Sequence, residues 1–294
     1  MRASLGRRAG AVVLAVLASA CGSRNSVLLE DEVGRRFDDA TALLQEGEQH
    51  FARREDRVQV HFAIARWEEA ARTDPTRPDV WLKLSYAYYW LAHGHLRFAG
   101  GEEEAMRRAY DKGIVAAEHA LKLLAPQFAA RVKAGESWEE AVKTAGAEAL
   151  PALYWYATNL GKWALLEGIV KTLRYKNRIF AIMSRVHELD ERFWYAGPHR
   201  YFGVYYTKIP FPGGDLEKSR QHFERAVALA PHYLETKVLF ASEYAVKAQD
   251  EELFRRLLGE VLATPDDVLP DLVPENRVAK KTAQQLLDSI EEYF

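Results

Sequence analysis

The chain has 294 residues, 48% hydrophobic and 28% charged, with a formal net charge of -2. That composition is globular and gives enough chain for a large core. The balanced charge excludes the basic face expected of a nucleic-acid binder, and a mean hydropathy of -0.29 excludes a polytopic membrane protein. A single cysteine, Cys21, rules out an internal disulfide and a cysteine zinc site.

The N-terminus carries the first specific signal. Arg2, Arg7 and Arg8 precede an acid-free apolar run of 12 residues from Ala9 to Ala20. This is shorter than the roughly 20 residues that span a bilayer, but it suits the core of a signal peptide. The ending Leu17-Ala18-Ser19-Ala20-Cys21 resembles the lipobox of bacterial lipoproteins, with leucine one position earlier than in the commonest form. We therefore expect residues 1–20 to be a lipoprotein signal peptide and Cys21 to carry the lipid. Residues 21–35 then form a lipidated tether, so that membrane contact is made through lipid alone. Gly22, rather than aspartate, after the cysteine favours the outer membrane as the site of anchoring.

From residue 36 to 294 the pattern is helical, with apolar residues recurring at spacings of three and four and no convincing strand. Trp67, Ala70 and Pro75 close one helix, and Trp81, Leu84, Ser85 and Tyr88 open another, with an insertion around His93 to Glu104. The segment from Ala152 to Gly168 predicts a first helix whose partner runs from about Asn177 to Leu189. Ser219, Phe223, Ala226 and Pro231 match the second-helix pattern of a tetratricopeptide repeat, and Phe202-Gly203 and Tyr206 match its first helix. Ala241, Tyr244 and Pro265 continue the series, Pro265 lying 34 residues beyond Pro231. Pro274 opens a terminal helix with Val278, Ala283, Leu286, Leu287, Ile290 and Phe294 on one face. The fold expected is all-α: a tetratricopeptide-like α-solenoid with a C-terminal capping helix.

Chemistry is hard to find. No HExxH occurs among the nine histidines, and His93 and His95 would diverge on a helix, so no metal site is expected. The other histidines sit mostly among charged residues and read as solvated. There is no GxSxG and no glycine-rich loop after a strand; Gly213-Gly214-Asp215 reads as a turn with an Asp helix cap. Neither a catalytic residue nor a cofactor is expected, and the chain reads as non-enzymatic. Aromatic residues stand out instead: Tyr154, Trp155, Tyr156 and Trp163 crowd one helix, and Phe193, Trp194, Tyr195, Tyr201, Tyr205 and Tyr206 another. Three consecutive aromatics sweep about 200° of a helix, so at least one faces away from its own helical pair.

The lipobox, ALYWYATNLGKW, ELDERFWYAGPHRYFGVYY, GGDLEKSRQHFERAVALAP, VLFASEYAVKAQDEELFRRLLGEVL and the terminal PENRVAKKTAQQLLDSIEEYF together resemble the TatT family. These are the T components of tripartite ATP-independent periplasmic (TRAP) transporters. The resemblance is densest from about residue 150 onward. It implies a periplasmic, lipid-anchored, all-helical accessory subunit that trimerises around a pore. It further implies docking of the substrate-binding P component and passage of an apolar ligand. On this reading Tyr154, Trp155, Asn159 and Trp163, then Tyr205 and Lys208, are the ligand or pore candidates, helix–helix hydrogen bonding being the other reading of Asn159. The rival expectation is a general envelope scaffold that binds folded proteins through its repeat surface and needs no cavity.

Overall fold

Helix boundaries follow short-range chemistry. Asp56, Asp215 and Asp250 cap helices by accepting from Val58, Lys218 and Leu253 N–H groups at 2.8, 3.0 and 2.9 Å. Prolines occupy the first turns of the helices opening at Pro78, Pro126, Leu150 and Val273. The computed structural model describes Arg24 and residues 26–29, 39–210 and 213–294; it is all-α, with no strand among those residues. The expected signal peptide and Cys21 lie outside the described residues.

In chain order the helices are α1 (Thr41–Phe51), α2 (Arg57–Thr73), α3 (Pro78–Trp90), α4 (Glu103–Leu124), α5 (Pro126–Lys133) and α6 (Trp138–Ala141). There follow α7 (Leu150–Leu166), α8 (Ile169–Leu189), α9 (Phe193–Lys208) and α10 (Leu216–Leu229). The C-terminal part holds α11 (Leu234–Leu239), α12 (Val246–Ala248), α13 (Glu251–Ala263) and α14 (Val273–Asp288). Neighbours pack pairwise, α1 on α2, α3 on α4, α7 on α8 and α9 on α10, and the pairs join through α2–α3, α4–α7 and α8–α9.

Two expectations about extent are corrected. The partner of the 152–168 helix begins at Ile169, because Gly168 takes φ +95° and reverses the chain at once. The insertion after Trp90 is not a loop at its start: Leu91–His95 continues α3 as a π-helical turn, and Leu96–Phe98 adds a 3-10 turn.

Close approach defines the pair interfaces. A Cβ on Gly47 would lie 2.2 Å from the Trp67 ring, whose indole N–H donates to the Leu44 carbonyl at 3.1 Å. Ser219 Oγ donates to the Gly203 carbonyl at 2.8 Å, while Phe223 fills the space beside Gly203. A polar node joins three helices: Ser85 Oγ on α3 donates to Gly113 O on α4 at 2.8 Å. Asn159 on α7, fully buried, donates to Ser85 Oγ at 3.2 Å and to Trp155 O at 2.9 Å. Asn159 is therefore placed as a helix–helix strut.

The turn after α1 meets the last helix, α14. Arg54, after α1, donates to both oxygens of Glu275 on α14 at 2.7 and 2.8 Å, and Tyr86 donates to the same carboxylate. The Arg54 carbonyl in turn accepts from Trp90 Nε1 at 2.8 Å and contacts His95 Nε2 at 2.9 Å. Arg97 donates to Thr282 Oγ1 at 2.7 Å. Thus α14 covers the C-terminal core and also closes the arrangement against α3.

The stretch expected to be a tether is docked where it is described. Leu28 is buried against α4 and α5, and Arg24 pairs with Asp111 at 2.6 Å and Glu118 at 2.9 Å. Glu118 is almost fully buried; burial pushes its carboxyl up, and Arg24 opposes this. A carboxylate buried on α4 needs such a partner, and Val27 N–H supplies a further bond at 2.8 Å.

Replacing Asn159 with Ala removes its amide hydrogen bonds to Ser85 and to the Trp155 carbonyl inside the core. The expected loss is about 1–3 kcal/mol of unfolding free energy in denaturant titration. A variant as stable as the parent would show that Asn159 is not a strut.

Candidate functional site

Between α7, α8, α9 and α11 lies a half-open cavity of about 170 Å³. For comparison, a cavity of about 150 Å³ takes benzene. One stripe of α7 lines it: Tyr154, Trp155, Thr158, Gly161, Lys162 and Leu165, repeating at helical spacing. The opposite side of α7 is core, where Tyr156 stacks on Trp138 with ring centroids 4.9 Å apart. Three consecutive aromatics are thus divided between cavity and core. A smaller chamber, walled by Tyr86, Trp90, His93 and Glu275, lies alongside and shares Tyr89, Trp194, Tyr233 and Glu235 with the first.

Of the six residues singled out from the sequence, Tyr154, Trp155, Tyr205 and Lys208 line the cavity. Asn159 and Trp163 do not: Asn159 is the strut described above, and Trp163 lies edge-on to Tyr175 at 5.8 Å. On α7 Asn159 lies about 100° and Trp163 about 140° round the helix from the middle of the lining stripe. Lys208 is tied to Glu243 at 2.7 Å at the rim.

The wall opposite α7 is built on an unusual backbone. Trp194, Tyr195 and Ala196 all take left-handed angles, with φ of 47°, 55° and 60°. For L-residues this costs about 1–2 kcal/mol each, roughly 3–6 kcal/mol in all. The sequence contributes the reversal itself: Pro198 starts the right-handed part of α9, and Gly197 lets the Tyr154 ring approach to where a Cβ would lie 2.4 Å away. Arg200, buried, holds the turn by donating to the Trp194 carbonyl at 2.7 Å and to the Tyr195 carbonyl. Its guanidinium also lies 4.2 Å from the Tyr233 ring centroid and 3.3 Å from Tyr154 Oη. Charged hydrogen bonds of this kind contribute about 1.5–3 kcal/mol each, the same order as the strain. Held this way, Trp194 packs edge-on to Trp155 at 4.8 Å, and Tyr195 stacks on Tyr233 at 5.0 Å.

Charge inside the cavity is uneven. Burial opposes ionisation of Glu235, yet His93, Arg97 and Lys162 facing it hold its carboxyl at about 2. His93 is itself buried and pushed down to about 4, so it remains a neutral donor to Glu235 at 3.2 Å. The two histidines diverge, as expected on a helix: His93 points inward to Glu235, whereas His95 points to Arg54. Burial also lowers the Lys162 ammonium, against the attraction of Glu235. Among the described residues neither Lys162 nor Lys176 has a carboxylate within 4.0 Å, although both face the cavity. The arrangement is an aromatic chamber with two unmatched cations at its α7–α8 side. Leu165, which lines the cavity, is exposed, as are Ile169, Val170 and Leu173 in the first turns of α8.

The residues that sequence reasoning missed are Lys162, Lys176, Arg200, Tyr233 and Glu235. Lys162 was within reach, since Trp155, Thr158, Lys162 and Leu165 fall at spacings of three and four. The others become visible only once α9 and α11 are folded against α7.

Strain at the left-handed turn makes an inverted prediction. Ala196→Gly relieves about 1 kcal/mol or more of backbone strain against about 0.8 kcal/mol for one buried methyl. It should leave the melting temperature unchanged or raised, whereas Ala157→Gly within α7 should lower it. Equal losses in the two variants would mean that the turn is not strained.

The sequence profile described as TRAP transporter T-component matches residues 86–294, well over half of the chain. No curated protein matches. No described helix is long and apolar enough to cross a membrane. The match takes in both chambers and every cavity-lining residue, and this chain belongs to the TRAP transporter T-component family.

Proposed function

We propose that this protein is a periplasmic accessory subunit that docks the substrate-binding P component of a TRAP-type transporter. In this reading its cavity receives an apolar ligand bearing an anionic end. The observation that carries the reading is the Lys162 ammonium, disfavoured by burial and without a carboxylate in contact, in a chamber lined largely by aromatic and aliphatic side chains. Aromatic walls supply affinity without direction, and one desolvated cation fixes which end of the ligand enters. A general envelope scaffold has no use for such a chamber. The exposed apolar residues Leu165, Ile169, Val170 and Leu173 are the surface we assign to the docked P component, because Leu165 among them lines the cavity. Cys21 would carry the lipid that holds the subunit to the outer membrane, and homotrimerisation is part of the same reading.

Two measurements test this. Light scattering after size-exclusion chromatography, on the protein with and without its P component, should show a trimer whose mass rises on mixing. A monomer indifferent to that partner would sink the transporter reading. For the ligand, 11-(dansylamino)undecanoic acid should bind at least about tenfold more tightly than its methyl ester, a difference of about 1.4 kcal/mol. Lys162→Met should abolish that preference and leave ester binding intact.

The pH dependence has a definite sign. Binding an anion favours the charged ammonium, so affinity for the acid should fall as pH rises through the lowered pKa of Lys162, before the ordinary lysine range. Affinity for the ester should stay flat. Equal affinities for acid and ester at all pH values would overturn the anionic-end assignment.

A further inference from the structure

Away from the cavity, three segments bring nitrogen and oxygen ligands to one point. His187 in the last turn of α8, Glu191 in the turn that follows and His199 on α9 each offer an atom within 4.8 Å of the other two. His199 is buried, which departs from the expectation of a solvated ring, while His187 and Glu191 are half-buried and reachable from solvent. His199 Nε2 lies 3.0 Å from Glu191 Oε2, and the His187 and His199 rings meet edge-on at 4.9 Å.

A second layer surrounds these three. His222 on α10 places its Nδ1 2.9 Å from His199 Nδ1. Arg225 donates to Glu191 Oε1 at 2.6 Å, with a longer contact of 3.3 Å to Oε2. The Phe202 ring closes one side, 5.9 Å from His187 and 5.0 Å from His222.

We propose that His187, Glu191 and His199 form a binding site for a zinc-class divalent metal ion, oriented by His222 and Arg225. Two imidazoles and one carboxylate are a borderline donor set that suits first-row transition ions and not calcium or magnesium, which take oxygen. Metal–nitrogen bonds of about 2.0–2.1 Å place tetrahedral donors about 3.3 Å apart. The three groups therefore need to close by at most about 1.5 Å, within reach of side-chain rotation. The ion takes the place of the hydrogen bond between His199 Nε2 and Glu191. His199 then carries its proton on Nδ1 and donates it to His222 Nδ1, the orienting bond that metal-ligating histidines usually make. Arg225 keeps the other carboxylate oxygen fixed, and a fourth position is left for water.

The site would act on the cavity through the backbone. His187 and His199 flank the left-handed turn at Trp194–Ala196, so an ion between them ties the end of α8 to α9 across that turn. Trp194, Gly197 and Arg200, which wall the cavity, lie between the ligands or one residue beyond His199.

The test is calorimetric titration of tag-free, metal-stripped protein with zinc chloride, together with visible absorption spectra on adding cobalt(II). One ion per chain is expected, with tetrahedral cobalt bands. His187→Gln and Glu191→Gln should each weaken binding at least 100-fold, and His222→Gln by about 10–100-fold, as an orienting residue would. Circular dichroism checks that each variant folds; if His187→Gln does not, the half-exposed Glu191→Gln carries the comparison. No stoichiometric binding by the parent, or binding undiminished in folded Glu191→Gln, would overturn the site.

Discussion

One guanidinium holds together the part of this protein that makes it more than a stack of helices. Arg200 sits where three demands meet: the carbonyls of a left-handed turn, the face of Tyr233 and the hydroxyl of Tyr154. A right-handed backbone at Trp194–Ala196 would aim the indole and phenol elsewhere. The turn exists because Arg200 can satisfy successive carbonyls that a left-handed segment turns toward it, and because Gly197 admits the Tyr154 ring. Lysine carries the same charge but lacks the planar fork that reaches both carbonyls at once. The wall of the cavity, the edge-on contact of Trp194 with Trp155 and the stacking of Tyr195 on Tyr233 all follow from this arrangement.

Closure of α14 against α3 and the turn after α1 is the second constraint. Helical pairs laid side by side leave their inner faces open, and the aromatic density of α3, α7 and α9 would then be exposed. Here Glu275 accepts from both Arg54 and Tyr86, so α14 comes to rest against α3, where the smaller chamber forms. Removing either cation or carboxylate from such a pair costs more than the pair is worth, because the remaining charge stays partly buried. The bridge spans 221 residues, and nothing local in the sequence announces it.

Legibility in the sequence divides along the same line. Spacings of three and four fix the helices, and the Ser219–Phe223–Ala226 pattern identifies the pairing of α9 with α10, because small and bulky positions within one hairpin are read locally. Tyr154 and Trp155 stand out by residue type alone. Asn159 looks equally notable, yet a polar residue on the core stripe of a helix is the better strut, and the Ser85–Gly113 node uses it so. Trp163 misleads for a related reason: bulk says nothing about which of two buried directions a ring takes. The spacing of His187, Glu191 and His199 goes unread because it straddles a left-handed turn, which no helical or strand periodicity describes. The resemblance read from the ordered motifs agrees with the family to which the chain belongs.

The cavity's charge balance shows why this chamber is not simply an imperfectly filled core. A packed core tolerates an ionised group only when a partner answers it, and most groups here are answered: Glu235 by His93 and the cations facing it, Lys208 by Glu243. Lys162 and Lys176 are the remainder. Keeping an ammonium beside tyrosine and tryptophan rings without a carboxylate in contact disfavours the charged form, as the depressed pKa of Lys162 records. Leucine at that position would fill space and remove the cost. Lys162 is attracted by Glu235 across the cavity but has no carboxylate in contact, and on the proposed reading an anion that enters from outside supplies that close partner. In this protein the unmet electrostatic demand, more than the shape of the cavity, argues for a ligand.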